Sequence, residues 1–249
     1  MWDKNDNKLL TVAWFSAGVS SAVATKLVID QVDKIIYTHI DDQHPDTMRF
    51  VLECEEWFGK PVEILQSKFK TVEAACLMHG KGYINGPAGA NCTRWLKKKV
   101  RHNWEQAHEE FHLRYVWGMD VSEKHRAFGE HGLINTMPAQ QHMFPLIERE
   151  MTKAASHKVL KASGIARPKM YDLGYQNNNC IGCVKGGKGY FNKVRIDFPS
   201  VFRQRAEMER KVGRSCINGT FLDELDPSAG RTDNPVVEDC GIFCEMMSI

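Results

Sequence analysis

The 249-residue chain has no internal repeat, no low-complexity tract and no apolar run long enough to cross a membrane. The uncharged stretch from Leu9 to Thr25 is too short for a membrane span and is rich in Ser, Thr and Gly. Residues 1–6 lack the basic region followed by an apolar stretch that marks a secretory signal, so we expect a soluble, cytoplasmic protein. With 43% hydrophobic residues, the chain is long enough to bury the core of one α/β domain with a smaller appendage.

The chain also lacks a large excess of charge of one sign, because its formal net charge is +2. This value by itself says little about partners. The charge is unevenly distributed: residues 184–214 carry nine Lys or Arg against three acids, and residues 223–245 carry seven acids against one Arg. The basic segment can follow the phosphates of a nucleic acid, or it can be a solvated helix face that the acidic segment neutralises.

Disulfides are not expected among the eight cysteines, because a reducing compartment keeps cysteines as thiols or metal ligands. Cys180 and Cys183 form a CxxC motif in a polar loop without apolar periodicity, and Cys240 and Cys244 form a CxxxC motif. Together the two motifs have the spacing of a four-thiolate site, which suits tetrahedral zinc or an iron–sulfur cluster. Cys92, near the predicted start of a helix, is a further candidate ligand. For the CxxxC motif, a terminal segment without a ligand role is the open alternative.

Strand-like and helix-like segments alternate along the chain. The predicted strands cover residues 9–15, 34–40, 62–65 and 114–119, and the predicted helices cover residues 46–58, 72–79, 93–106, 152–163 and 199–212. This alternation predicts an α/β fold with a doubly wound, mostly parallel sheet, whose ligand site lies at the carboxyl ends of the strands. We expect an α/β domain over residues 1–175 and a cysteine-bearing C-terminal region over residues 176–249.

The turn after the first predicted strand has the composition of a phosphate-binding loop. Ser16 and Gly18 add little side-chain bulk, so backbone N–H groups of residues 17–21 can approach an anion closely. Ser20 and Ser21 add hydroxyls where a helix begins. An ordinary tight strand-to-helix connection would also use Ser and Gly. The candidate phosphate-binding residues are Ser16, Ala17, Gly18, Val19, Ser20 and Ser21.

Charged side chains follow two further predicted strands. Asp41 and Asp42 follow the second strand, and residues 120–126 follow the last one. Because the carboxyl ends of parallel strands meet at one edge of a sheet, we expect these residues to line one crevice with residues 16–21. An Asp in that crevice can bind a ribose or a metal ion, and Arg126 can bind a phosphate or sulfate as a planar fork. Helix capping is the alternative role for the two Asp residues.

Several segments resemble motifs of the phosphoadenosine phosphosulfate (PAPS) reductase-like group of the adenine nucleotide alpha hydrolase superfamily. Residues 16–21 resemble its PP-loop, Ser-Gly-Gly-x-Asp-Ser, and residues 40–50 resemble its second-strand acid with the following helix. Residues 92–97 are similar to the Cys-Thr-x-x-Leu-Lys pattern of cluster-bearing relatives. Residues 118–126 are similar to the substrate loop Gly-x-x-x-x-Glu-x-x-Arg.

The segments 144–147 and 171–175 resemble the part of these proteins that leads into the CxxC motif. The resemblance therefore covers nearly the whole chain, and it is closest to the compact members that bacteriophages often encode. The chain departs from the motifs at Ser20, where ATP-cleaving members carry an Asp, and after Cys240, where Phe243 stands in place of a His. The first departure disfavours ATP cleavage.

The resemblance implies an enzyme of sulfur chemistry that binds an adenine nucleotide, namely PAPS, adenosine phosphosulfate or ATP. Besides the PP-loop residues, the nucleotide-binding residues that it implies are Asp41, Asp42, Gly118 and Glu123. In the first hypothesis the protein reduces a sulfonucleotide that Arg126 helps to bind. A thiolate at Cys240 attacks the sulfonucleotide, and the resulting thiosulfonate is reduced by a thiol partner protein.

A second hypothesis is an ATP-dependent sulfurtransferase that thiolates a nucleic acid held by the basic residues 94–101 and 185–214. Its sulfur chemistry would use a 4Fe-4S cluster, with zinc as the alternative metal for the same thiolates. The implied metal ligands are Cys92, Cys180, Cys183 and Cys244. A third hypothesis, from another class, is a non-catalytic module that binds a nucleotide or nucleic acid and carries structural zinc.

Overall fold

The computed structural model describes residues 8–78, 82–86 and 89–231, which divide into two compact units built from interleaved stretches of chain. Within the described residues, unit 1 comprises residues 8–38, 45–65 and 101–168. Unit 2 comprises the rest: residues 39–44, the described part of 66–100, and residues 169–231. The structure thus groups 39–44 and 66–100 with the C-terminal stretch, whereas the sequence-based boundary at residue 175 placed them in the first domain.

The strands of the chain form a five-stranded sheet. Its strands are β1 (Leu9–Trp14), β2 (Lys34–His39), β3 (Val62–Gln66), β4 (His112–Val116) and β5 (Gln141–Met143), in the order β3-β2-β1-β4-β5. The pairs β1–β2, β1–β4 and β4–β5 are parallel, and the β1–β4 register runs from Leu9 opposite His112 to Ala13 opposite Val116. This order confirms the predicted doubly wound α/β fold.

The central position of β1 follows from its sequence. Val12 and Ala13 are fully buried and Trp14 is 3% exposed, so both faces of the strand are covered. A continuous apolar run is the pattern of a parallel strand with helices on both sides, because no face of such a strand meets water. The strand ends at the polar turn that begins with Ser16.

Twelve α-helices accompany the sheet within the described residues. They are α1 (Val19–Leu27), α2 (Asp46–Phe58), α3 (Val72–Leu77), α4 (Asn91–Thr93), α5 (Lys99–Gln106), α6 (Lys124–Phe128), α7 (Leu133–Thr136), α8 (Pro145–Glu148), α9 (Lys153–Ala162), α10 (Lys169–Asp172), α11 (Lys188–Asp197) and α12 (Pro199–Val212). A π-helical segment, Arg94–Lys98, joins α4 to α5. Helices α2 and α12 end at Gly59 (φ 69°) and Gly213 (φ 72°), whose left-handed backbone is the usual helix stop. No helix in the described ranges has the length and apolarity that a membrane crossing requires.

Two hydrophobic clusters lie among the described residues of unit 2. The first is built around α11, α12 and the loop of the CxxC motif, and includes Tyr190, Phe191 and Phe202. The second is built around α3, α4 and the π-helical segment, and includes Ile84 and Leu96. Cys216, which follows α12, packs against both clusters.

Candidate functional site

Residues 16–21 form a tight turn between β1 and α1, and the Ser21 side chain holds this turn closed. The Ser21 hydroxyl accepts from the Ser16 backbone N–H (3.2 Å), lies 2.9 Å from the Ser16 hydroxyl, and donates to the Gly18 carbonyl (2.9 Å). Ala17 has a φ of 57°, in the left-handed region that favours glycine. Sparsely populated backbone conformations of this kind persist where the surrounding structure enforces them, and they are frequent at binding sites.

The start of α1 suits an anion. Gly18 is the N-cap residue, and none of the described side chains caps the helix there by a hydrogen bond. The first turn of an α-helix leaves N–H groups without intrahelical partners, and the helix dipole adds positive potential at the same end. Because α1 is nine residues long, this dipole is developed over more than two turns.

The loop after β4 meets this turn backbone to backbone at Gly118. A Cβ atom at position 118 would lie 2.5 Å from Ser21 Cα and 2.7 Å from Ser21 N, so only glycine fits. Strands β1 and β4 are neighbours in the sheet, and the strand order reverses between them. This is the topological switch point at which open α/β sheets bind their ligands. The structure therefore brings the predicted residues 16–21 and Gly118 together in unit 1.

Glu123 organises the rest of the loop after β4. One of its carboxylate oxygens accepts from the Asp120 backbone N–H (3.1 Å), and the other is paired with the Arg126 guanidinium. Asp120 in turn accepts from the backbone N–H (2.8 Å) and hydroxyl (2.6 Å) of Ser122. Glu123 therefore fixes the position of Arg126, whose side chain is 14% exposed. The predicted nucleotide-binding residue Glu123 acts, in these contacts, as an orienting partner of the predicted substrate-binding arginine.

Lys153 is a second cation beside this loop that the sequence reasoning missed. It opens α9, which packs against α1. Burial lowers the pKa of Lys153, and the nearby carboxylates of Glu123 and Asp120 act in the opposite direction. The only sequence signal is the N-cap residue Thr152, whose hydroxyl accepts from a backbone N–H of α9 (3.2 Å). An N-cap residue predicts where a helix begins, but it does not predict that Lys153 lies near the loop after β4.

His157 lies one turn further along α9. Burial lowers its pKa, and the positive charges of Arg167 and Lys153 lower it further. Burial and the two positive charges therefore act together against the charged form of the imidazole.

Asp41 and Asp42, the predicted acids after β2, belong to unit 2. The Asp42 carboxylate is paired with Arg205, which is fully buried, and also accepts from the Val72 backbone N–H (2.7 Å). Asp41 accepts from Gln66 (2.6 Å). Burial of Arg205 acts to lower its pKa, but the Asp42 carboxylate outweighs this effect and the net shift is upward. Asp42 thus neutralises a buried cation, and nucleotide binding by Asp41 and Asp42 stays a prediction.

Arg205 also holds the CxxC loop. Its Nε donates to the Gly182 carbonyl (2.9 Å), and a terminal nitrogen lies 3.3 Å from the Ile181 carbonyl. From the other side, the Cys183 backbone N–H donates to the Tyr190 hydroxyl (2.8 Å). The loop is therefore fixed by protein groups.

The described cysteines do not by themselves form a cluster or zinc site, and the predicted ligand set stays a prediction. Cys92 and Cys180 share one hydrophobic cluster, whereas Cys183 packs in the other. Within the described ranges, no group of three or more His, Cys, Asp or Glu side chains is arranged to hold a metal ion. Arg205 Nη1 is buried without a hydrogen-bond partner among the described residues, so a negatively charged group could bind there. An arginine nitrogen is a donor and cannot itself be a metal ligand. The remaining candidate ligands, Cys240 and Cys244, lie outside the described residues. The predicted role of Cys240 as a nucleophile therefore stays a prediction.

Many cations of the basic segment 185–214 are engaged inside the chain. Arg210 pairs with Asp223 (2.7 Å) and Glu224, and Lys211 pairs with Glu73 (2.7 Å). Lys193 pairs with Asp197 (2.7 Å), and Arg195 donates to the Leu225 carbonyl (2.7 Å). Together with the buried Arg205, these contacts favour the interpretation of the segment as an internally neutralised helical region rather than a nucleic-acid surface.

Comparison with solved structures finds several chains of similar fold. The chain is similar to phosphoadenylyl-sulfate (PAPS) reductase from Candida auris, solved as a phosphate complex, with a TM-score of 0.46 and 13% sequence identity over 71% of this chain and 82% of that one. No family model matches the chain, and no curated protein matches it in sequence.

Proposed function

We propose that unit 1 binds an adenine nucleotide at the β1–β4 switch point, with its phosphates against the turn of residues 16–21. The observation that carries the proposal is the contact between Gly118 and Ser21, which brings the two loops of the switch point together without a side chain between them. Backbone N–H groups at the start of α1 would bind phosphate oxygens, because the helix dipole favours negative charge there. The resemblance of residues 16–21 to the PP-loop supports the choice of an adenine nucleotide.

Arg126 and Lys153 would supply the counter-charge for the phosphates or sulfate. Arg126 is paired with Glu123, and Lys153 is partly buried, so both side chains have less freedom than exposed cations before a ligand arrives. Pre-ordered cations lose less conformational freedom on binding than free surface side chains. A guanidinium also matches the planar spacing of phosphate or sulfate oxygens, whereas an ammonium acts as a point charge.

The chemistry that we propose is sulfonucleotide reduction. The Cys240 thiolate would attack the sulfur atom of PAPS or adenosine phosphosulfate, and the bond between sulfur and the bridging phosphate oxygen would break, so that the adenosine phosphate leaves with the electron pair. The product on the enzyme is a thiosulfonate. A dithiol protein would then attack Cys240 Sγ, release sulfite and become a disulfide as it frees Cys240. No step needs a metal centre.

Calorimetric titration with adenosine 3′,5′-bisphosphate, adenosine phosphosulfate and ATP tests the nucleotide site. We expect binding, and we expect Arg126→Ala and Lys153→Ala each to weaken it by about tenfold or more, since a hydrogen bond to a charged group contributes about 1.5–3 kcal/mol. Lys158→Ala, on the same helix as Lys153 but exposed, is the matched control and should bind as the natural protein does. Absence of binding to all three nucleotides refutes the site.

Sulfite release from PAPS or adenosine phosphosulfate, with a thioredoxin-type dithiol as reductant, tests the chemistry. Cys240→Ser should abolish sulfite release and leave nucleotide binding unchanged. If the protein binds the nucleotides but releases no sulfite from either substrate, the reduction is refuted while the nucleotide site stands.

A further inference from the structure

A surface of cations and aromatic rings lies on unit 2, formed by Lys68, Phe69, Lys70, Arg94 and Trp95; we refer to it as the Phe69–Trp95 surface. The two ring centroids are 5.7 Å apart, and their planes make an angle of 70°. Lys68 Nζ lies 5.1 Å from the Phe69 ring, and the Arg94 guanidinium lies 5.5 Å from the Trp95 ring. The three cations are exposed, whereas the rings are half-buried and rest on the second hydrophobic cluster of unit 2.

The backbone fixes this surface from both sides. On one side, the Phe69 backbone N–H donates to the Ser67 hydroxyl (3.3 Å) and the Lys70 N–H donates to the Ser67 carbonyl (3.0 Å), which makes a tight turn. Lys70 has a φ of 58°, a conformation that a non-glycine residue adopts at a cost. On the other side, Arg94 and Trp95 open the π-helical segment. Strained turns and π-helical segments are both frequent at functional sites.

The charged side chains in the two sequence segments that carry the rings are all positive. Residues 66–72 and 89–100 contain no acid, and their cations are Lys68, Lys70, Arg94, Lys97, Lys98 and Lys99. The acids next to the turn already have partners: the Asp41 carboxylate accepts from Gln66, Asp42 is paired with Arg205, and Glu73 is paired with Lys211. In the segment 185–214, Lys193, Arg205, Arg210 and Lys211 form ion pairs within the chain, whereas Lys68 and Arg94 of the Phe69–Trp95 surface lie over aromatic rings and Lys70 is exposed.

We propose that the Phe69–Trp95 surface binds single-stranded nucleic acid, with bases stacked on Phe69 and Trp95 and the backbone phosphates at Lys68, Lys70 and Arg94. Single strands expose the base faces that stack on aromatic side chains, and duplexes do not. Because the ring planes are inclined at 70°, a base stacked on one ring is not parallel to the other, so each ring would take its own base. The surface lies outside the nucleotide site proposed above, and this inference does not depend on that site.

Fluorescence anisotropy of a labelled 12-nucleotide single strand, titrated with the full chain at several salt concentrations, tests the proposal. The variant Lys68→Ala/Arg94→Ala removes two exposed cations, and the control Lys158→Ala/Lys161→Ala removes two exposed cations from α9 of unit 1. We expect the first variant to weaken binding by about tenfold at low salt and to reduce the slope of log affinity against log salt by about 1.4. The control should leave both quantities unchanged.

A second variant separates stacking from charge. Trp95→Leu keeps an apolar side chain on the hydrophobic cluster but removes the π face, so we expect single-strand binding to weaken by at least about fivefold. Thermal unfolding of the variant should stay within a few degrees of the natural protein, which shows that the loss of binding is not a loss of fold. Equal weakening by the surface variant and the α9 control, binding of a 12-base-pair duplex as tightly as the single strand, or unchanged binding by Trp95→Leu in a folded protein would each overturn the proposal.

Discussion

Replacing Gly118 by alanine probes the contact on which the nucleotide site depends. The new Cβ would lie 2.5 Å from Ser21 Cα, 2.7 Å from Ser21 N and 2.9 Å from Ser21 Cβ. Ordinary carbon contacts lie at about 3.5–4.0 Å, so the loop after β4 and the start of α1 must separate by roughly 1 Å. Overpacking of this kind costs about 1–3 kcal/mol, which corresponds to a loss of about 2–4 °C in melting temperature per kcal/mol for a protein of this size.

Nucleotide binding should suffer as well, because Ser21 holds the turn of residues 16–21 through Ser16 and Gly18. A displacement of about 1 Å in a positioned group can cost about a hundredfold in function, so we expect Gly118→Ala to weaken adenosine 3′,5′-bisphosphate binding by at least about tenfold in calorimetric titration. The control is Gly187→Ala, at the N-cap of α11, where a Cβ meets nothing within 4 Å. If Gly118→Ala melts and binds as the natural protein does, the switch-point geometry described here does not form the site.

Three further changes test other parts of the structure. Ser21→Ala removes the hydroxyl that closes the turn and should destabilise the protein by about 1 kcal/mol, measured by urea unfolding, together with weaker nucleotide binding; a stability equal to that of the natural protein would contradict this role. Asp42→Asn leaves the buried Arg205 charge uncompensated and should cost about 3 kcal/mol, and the double variant Asp42→Asn/Arg205→Met should recover only part of it, because Met cannot donate to the Gly182 carbonyl. Because the pKa of His157 is lowered in the folded chain, we expect the free energy of unfolding to fall as the pH drops below about 6.5. Below that pH the imidazole binds a proton more readily in the unfolded chain than in the folded one. His157→Gln should therefore flatten the stability profile between pH 7 and pH 5, and an unchanged profile would contradict this role of His157.

The helices with strong local signals could be predicted from the sequence to the residue. Helix α2 spans the predicted residues 46–58, and α12 spans the predicted residues 199–212, because each is followed by a glycine that adopts the left-handed stop. Helix α11 (Lys188–Asp197) was not predicted, since glycines and lysines at its start dilute the apolar periodicity. The predicted helix over residues 93–106 contains a π-helical segment, which depends on packing rather than on local sequence.

Some residues of the candidate site could likewise be predicted from the sequence, and others could not. The turn at residues 16–21 could be identified from its small residues after a predicted strand, and Gly118 from the resemblance of residues 118–126 to a family motif. The roles of Asp42 and Lys153 could not, because their partners Arg205 and Glu123 are 163 and 30 residues away along the chain. Such partners follow from tertiary packing, and no periodicity or motif in one sequence specifies them.

The interleaving of the two units has a consequence for synthesis of the chain on the ribosome. All described residues of unit 1 are present once residue 168 has emerged, so this unit can begin to fold before translation ends. Unit 2 must wait, because its earliest segment, residues 39–44, is fixed by the salt bridge from Asp42 to Arg205. Until then the apolar residues of 66–100 have no C-terminal partners to bury them. The nascent chain therefore passes through a stage in which a chaperone that binds exposed apolar segments has a target, and a chain released at residue 175 would remain at that stage.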